Sequence, residues 1–302
     1  MRKLIWQEAD FYGASKIIFK SSKLPLSFKA SWTHGLHDGF SKNYDTSWLI
    51  HPDEINFPIH LVNNNHAASY LDNLGKECYP VGMPIIYASS YELKFKNNRL
   101  FVPTHSIDKN QQQYFEDWKK IIKKYNCDSI CLSKNDFLHQ RKVKFDFGID
   151  KVFCGAHPSD TKSLERIKSI FKSTKDLLTN GYGSHLIYGS FYGANVNVID
   201  EFEDNYSMDR NKKREIEISK MVSKSFHDKI FKITGSLESF SRSIWFYDSE
   251  NEKKEFSKEM IGIDHQKSLY QIRNLLSPCS KKQELSLFFD QIYRRSLRRI
   301  KP

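Results

Sequence analysis

The sequence predicts an α/β fold with parallel strands, and three observations carry that expectation. Residues 177–199, LLTNGYGSHLIYGSFYGANVNVI, read as a short apolar run, a glycine-rich turn, a helix and a second strand, the layout of one α/β unit. Upstream of it, from residue 100, strand-like runs alternate with helical periodicity. The composition can fill a core, with 39% hydrophobic and 14% aromatic residues in a chain of 302, long enough for two domains of ordinary size.

Taken in order, residues 3–6 and 16–19 are short apolar pieces, and residues 16–19 (KIIF) read as a buried strand. Residues 58–63 read as a strand, and residues 67–74 as a helix stopped by Gly75. The Pro80, Gly82 and Pro84 run marks an irregular crossing, and the polar stretch 92–99 a connection. Residues 100–102 are a strand and 111–125 a helix, with Phe115, Trp118, Ile121 and Ile122 at helical spacing. Residues 128–132 follow as a strand, 134–144 as a polar region and 151–154 as a further strand. Ser159 or Asp160 is expected to cap a helix running to about residue 171. Residues 200–214 read as a charged loop, and 215–232, 252–260, 265–276 and 281–300 as helices. The chain divides on these signals into 1–95, 96–205 and a helical basic region, 206–302.

Net charge is +11, which favours acidic partners: a nucleotide-linked substrate, an anionic membrane surface or nucleic acid. The basic residues do not alternate with aromatics and no nucleic-acid motif is visible, which argues against nucleic acid. The last helix carries Leu285, Phe288, Ile292, Leu297 and Ile300 beside Arg294, Arg295, Arg298, Arg299 and Lys301. Such a helix either docks its apolar stripe on the body or lies against an anionic leaflet. No run reaches the length of a membrane span, and the start reads as no signal peptide, so a cytoplasmic protein is expected, peripheral at the inner face of the membrane if that helix binds lipid. The five cysteines are scattered, without a second close pair to complete a zinc site, and read as reduced core thiols.

Polar residues gather where chemistry is expected. Residues 31–39, SWTHGLHDG, display His34, His37 and Asp38 between two glycines, the raw material of acid–base work or a polar turn. Three further groups lie just past the carboxyl ends of successive strands: Thr104, His105 and Ser106; His157 and Pro158; and Thr179 to His185. In parallel α/β sheets ligands bind at that edge. In the last group, Gly181 and Gly183 allow positive φ or close approach of a ligand, and Ser184 can cap the helix or donate to a phosphate. Free backbone N–H groups at the helix start can hold an anion; a capped helix joining two core strands accounts for the same residues.

Together the HG-L-HDG loop, Gly82-Met83-Pro84, VPTHS, the His157-Pro158 pair and Gly183-Ser184-His185 with Tyr188 resemble bacterial surface-polysaccharide glycosyltransferases of GT-B type. The arrangement is similar to the group of sialyltransferases and capsular Kdo transferases. The likeness spans about residues 30–200. The family places two acidic residues before the glycine, where this sequence has His37-Asp38-Gly39.

The resemblance implies two Rossmann-like domains with a cleft between them, an acceptor-side domain over 1–95 and a nucleotide-sugar domain over 96–205. It implies transfer of a sugar from a nucleotide donor, CMP-activated donors included, to a glycan or glycolipid acceptor of capsule or lipopolysaccharide. Asp38 would be the base, with His37 or His34 competing for that role. His105, Ser106, His157, Pro158, Thr179, Gly183, Ser184 and His185 would bind the donor. Inverting transfer needs that base and fixed positive potential at the leaving phosphate. No cofactor or metal is expected, because the sequence has no Asp-x-Asp loop; Glu201 and Glu203 have the spacing but lie in a highly charged stretch. A nucleotide-sugar epimerase or hydrolase of the same fold, or a basic nucleic-acid-binding protein, are the alternatives.

Overall fold

The computed structural model describes residues 7–19, 27–33, 50–94, 96–103, 111–181, 183–199 and 249–300. These form two parallel sheets. The first has β1 (Ala30–Trp32), β2 (Ile59–Val62) and β3 (Cys78–Pro80) in the order β1-β2-β3. The second has β4 (Asn97–Phe101), β5 (Ser129–Leu132), β6 (Lys151–Cys154), β7 (Thr174–Thr179) and β8 (Asn195–Val198) in the order β6-β5-β4-β7-β8. Every pairing is parallel. Strand order in the second sheet reverses between β4 and β7, as in Rossmann-like folds.

Alternation along the strands of this sheet builds two cores. Leu100, Cys131, Leu177 and Val196 face one cluster, and Phe101, Ile130, Leu132 and Leu178 the other. Helix α3 (Gln111–Lys124) covers the second face, laying Phe115, Trp118 and Ile122 on it. Helices α5 (Ser163–Lys172) and α6 (Ser184–Phe191) cover the first through Ile167, Ile170, Leu186 and Ile187. That face shares its core with the first sheet, since Trp32, Leu61 and Val62 belong to the same cluster.

Helix α2 (Asn65–Asp72) is capped by Asn64, whose side chain accepts from the Ala67 N–H at 3.0 Å. On the first sheet, Ser31 and His60 stand opposite each other in register, and Ser31 Oγ lies 2.8 Å from His60 Nδ1 with both residues buried. Burial first, then the charge of Lys76, holds the imidazole down at about 4, against an opposing pull from the Phe57 backbone, so His60 is neutral near neutral pH.

The C-terminal helices tie the sheets together. Helix α7 (Glu250–Ile261) starts in a capping box of Ser249 and Glu252. Near that end Lys253, itself buried, donates to the Val196 carbonyl of β8 at 3.0 Å. At the other end its last carbonyls, which have no partner inside the helix, are met by the first sheet. Asn64 Nδ2 donates to Glu259 O and Asn63 Nδ2 to Met260 O, each at 3.0 Å, and Met83 N donates to Ile261 O at 2.8 Å. Gly262 ends α7 at φ 71, where a Cβ would stand 1.8 Å from the Asn63 carbonyl oxygen. Helix α8 (Leu269–Leu275) opens with a second capping box and sends Arg273 to the Ile18 carbonyl. Helix α9 (Lys281–Ile300) runs along the 3-10 turn Pro52–Glu54.

Several expectations need correction. Residues 16–19 are not a strand but lie in helix α1 (Ala14–Phe19), with Ala14 and Ile18 buried one turn apart. A four-residue apolar run does not separate the two periods. The polar region 134–144 is helix α4 (Lys134–Val143), capped by Ser133 and ended at Lys144 with φ 54. The stretch 92–99 is a connection only at its start, because Asn97 to Arg99 pair with β7 inside the sheet. Neither Ser159 nor Asp160 caps α5, which begins at Ser163 behind Lys162. In α9, Phe288 is half-buried toward the body, while Leu285 and Ile292 face solvent. Residues 3–6, 200–214 and 215–232 lie outside the described residues.

Candidate functional site

Strand order reverses between β4 and β7, and in parallel sheets of this kind the ligand crevice lies beside that reversal, at the carboxyl edge. Two segments leave the strands there. From β4 the chain passes Val102 and Pro103 toward Thr104, His105 and Ser106, which lie outside the described residues. From β7 it passes Thr179, Asn180 and Gly181 into α6.

The β7–α6 turn is closed by its own side chains. Thr179, fully buried, accepts the Gly181 N–H on Oγ1 at 3.2 Å, and the same oxygen lies 2.9 Å from His185 Nε2. His185 Nε2 also lies 3.1 Å from the Gly181 carbonyl oxygen. The imidazole therefore bolts the turn shut from inside the helix start, a part the sequence did not disclose. Gly183 does not use positive φ; at φ 175 its backbone is extended, and it is the N-cap without a side-chain bond. Its value is space, since a Cβ would stand 3.1 Å from His185 Nδ1. Ser184 follows the cap as the first helical residue, and its hydroxyl bonds that of Tyr188 one turn on. Burial chiefly, then Tyr12 and Tyr192 nearby, pushes the Tyr188 phenol up against the opposing effect of the Ser184 hydrogen bond, so it stays neutral. Helix α6 starts at this edge, where the Leu186 N–H donates to the Gly183 carbonyl at 3.1 Å and the positive end of the helix dipole lies.

His157 and Pro158 sit at the same edge but after β6, with β5 and β4 between that strand and β7. At the usual strand spacing this is roughly 14 Å from β7. The loop is rigidly held. Ser163 Oγ accepts the His157 N–H at 3.1 Å, and Arg166 donates to the carbonyls of Cys154 and Gly155 and to Asp160 Oδ2 at 2.7, 2.8 and 2.6 Å. His157 Nδ1 accepts the Ser159 N–H at 3.2 Å, which assigns the ring proton to Nε2. Nε2–H is then a donor. The Pro158 carbonyl accepts the Tyr12 N–H at 3.0 Å.

That last bond reveals a contributor missed in the sequence. Tyr12 has φ 57 and Gly13 φ 88, and a Cβ on Gly13 would stand 1.9 Å from the Thr161 carbonyl oxygen. The Tyr-Gly pair lets the N-terminal segment press between the His157 loop and Tyr188. The dipeptide itself was the available signal. His34, His37 and Asp38 lie outside the described residues; the chain reaches them directly from Thr33, at the carboxyl end of β1. Cys131 and Cys127 are unsuited to attack, with burial pushing them up to about 12 and about 11.

The sequence matches no protein-family model and no curated protein. Among solved structures the chain is similar to S. aureus MnaA determined with UDP, at 15% identity and a TM-score of 0.40, over 82% of this chain and 67% of that one. It is also similar to the pneumococcal O-GlcNAc transferase GtfA in complex with UDP and GlcNAc, at 8% identity and a TM-score of 0.34, over 85% of this chain and 52% of that one. The chain thus spans about two thirds of the first and about half of the second, and both TM-scores are low. The Rossmann-like α/β architecture rests on the strand order itself.

Proposed function

We propose that the chain is an inverting, metal-independent glycosyltransferase that moves a sugar from a nucleotide donor to a surface glycan. One observation supports this above others. The parallel second sheet reverses its strand order beside a turn locked by Thr179 and His185, with the start of α6 at the crevice. In the proposed reaction the donor phosphates lie between that helix start and His157 Nε2–H. Asp38 takes the proton of the acceptor hydroxyl, whose oxygen attacks the anomeric carbon as the bond to the leaving phosphate breaks. Residues 1–95 and 96–205 form the two lobes of a GT-B-like pair, with the acceptor entering between them.

The test begins with thermal shifts against CMP, UDP, GDP and their sugars, since a ligand of the folded state raises the melting temperature. One nucleotide should do so, and transfer should require an added glycan acceptor and persist in excess EDTA. His157→Ala should slow transfer by about 10²–10³, and Asp38→Asn by about 10²–10⁴ with nucleotide binding retained. No shift with any nucleotide, or undiminished transfer in His157→Ala, defeats the proposal. Turnover of the nucleotide-sugar without acceptor replaces it with an epimerase or hydrolase.

A further inference from the structure

Helix α9 is docked the wrong way round for a helix that only packs on its own protein. Its body side is largely polar: Gln291, buried, donates to the Asp53 carbonyl at 3.2 Å, and Arg295 pairs with Asp53 at 2.9 Å. Asp290 accepts from Asn56 Nδ2 at 2.9 Å and pairs with Arg294 at 2.9 Å, and Glu284 accepts from Ser27. Leu287 and Phe288 are half-buried on this side. The opposite side carries Leu285, Phe289, Ile292 and Tyr293, which are 46, 64, 44 and 63% exposed. Their spacing of i, i+4, i+7 and i+8 makes one continuous stripe along two turns.

Charge decides what covers it. Lys281 and Lys282 are exposed at the start of the helix, and Arg298 and Arg299 follow the stripe in sequence, whereas Arg294 and Arg295 are paired with Asp290 and Asp53. The only acidic residues of α9 are Glu284 and Asp290, both already bonded toward the body. An apolar, aromatic-bearing stripe with cations before and after it matches a bilayer interface, where rings enter the headgroup boundary and cations meet anionic lipid. We propose that this face of α9 docks on an anionic membrane surface, with Phe289 and Tyr293 as the inserting side chains. The proposal goes beyond the reaction and stands without it. No helix among the described residues is long and apolar enough to cross a membrane, so the contact would lie in the plane of the interface.

Flotation of the full chain with phosphatidylcholine vesicles, and with phosphatidylcholine–phosphatidylglycerol vesicles, tests it. The protein should float with the anionic vesicles only, and added salt should weaken the binding. The double variant Phe289→Ser/Tyr293→Ser should bind at least about tenfold more weakly. Lys281→Ala and Lys282→Ala should each cost about fivefold. Leu138→Ser removes an exposed leucine from α4 (55% exposed) and should change nothing. Because Phe289 and Tyr293 point away from the docked side, circular dichroism of the double variant should match the parent. Failure to float, or undiminished flotation of a folded double variant, overturns the proposal. So does a dimer in light scattering that the double variant dissolves, because a second copy would then cover the stripe.

Discussion

A single imidazole illustrates how a residue's surroundings set its chemistry. His60 lies in β2 with Ser31 opposite, and its Nε2 has no hydrogen-bond partner. In an unfolded chain it would take up a proton near pH ~6.5, whereas burial and Lys76 hold it down at about 4 in the folded protein. Between those values the unfolded state binds the proton and the folded state does not. Stability is therefore full above pH ~6.5 and declines as pH falls through the folded value, by up to about 3 kcal/mol. Urea unfolding at about pH 7.5 and about pH 5 should show that decline, and His60→Gln should flatten it while lowering stability at the higher pH by about 1–3 kcal/mol. An equal decline in the variant would assign the effect to other groups.

At the scale of elements, α7 acts as a tie whose end geometry is demanding. Gly262 is left-handed and its missing Cβ leaves room for the Asn63 carbonyl. Gly148 is also left-handed, at φ 74, but nothing lies within 4 Å of where its Cβ would be. The two glycines separate backbone preference from contact. Gly148→Ala should cost about 1 kcal/mol, the conformational penalty alone. Gly262→Ala should cost about 3 kcal/mol or more, because the obstacle is backbone that cannot turn aside. Thermal melts of the two variants measure the difference, and equal losses would mean that the α7 joint yields.

Over the whole molecule, the first sheet, α7 and one face of the second sheet share one apolar cluster, which includes Trp32, Leu61, Leu177, Val196 and Phe256. The cluster under α3, with Trp118, lies on the other face. The lobes proposed over 1–95 and 96–205 should consequently unfold together. With Trp6, Trp48 and Trp245 replaced by Phe, Trp118→Phe leaves Trp32 to report on the shared core, and fluorescence and circular dichroism should give one coincident transition in urea. The same coincidence is expected in Trp32→Phe. Separate transitions would show that the lobes are independent folding units.

Much of this was legible in the sequence, for identifiable reasons. Strand β5 was readable because a strand buried on both faces is a nearly continuous apolar run, SICL, and β8 because NVNV alternates exposed Asn with buried Val. Helix α3 was readable because Phe115, Trp118 and Ile122 repeat at its period. The local signals failed where the decisive partner is distant. Residues 16–19 became helical through contacts of Ala14 and Ile18 with the shared core. Helix α4 was missed for a local reason: it is marked by the Ser133–Asp136 cap and has no apolar stripe. The contacts of His185 Nε2 with Thr179 Oγ1 and the Gly181 carbonyl oxygen were likewise not legible in the sequence, which expected His185 to bind the sugar donor.

The sequence by itself determined the α/β class, the succession of strands and helices over residues 100–199 apart from α4, and which polar residues follow which strand. Those properties are local, set by side-chain period and turn chemistry within a few residues. Only the tertiary structure decided that β4 and β7 are neighbours, that His157 stands three strand positions along the same edge from the β7 turn, and that α9 turns its apolar side outward. Each of these depends on pairing between segments far apart in the chain, such as β4 with β7 or Asp53 with Arg295. No local pattern encodes such a pairing, because its energy exists only once the two surfaces meet.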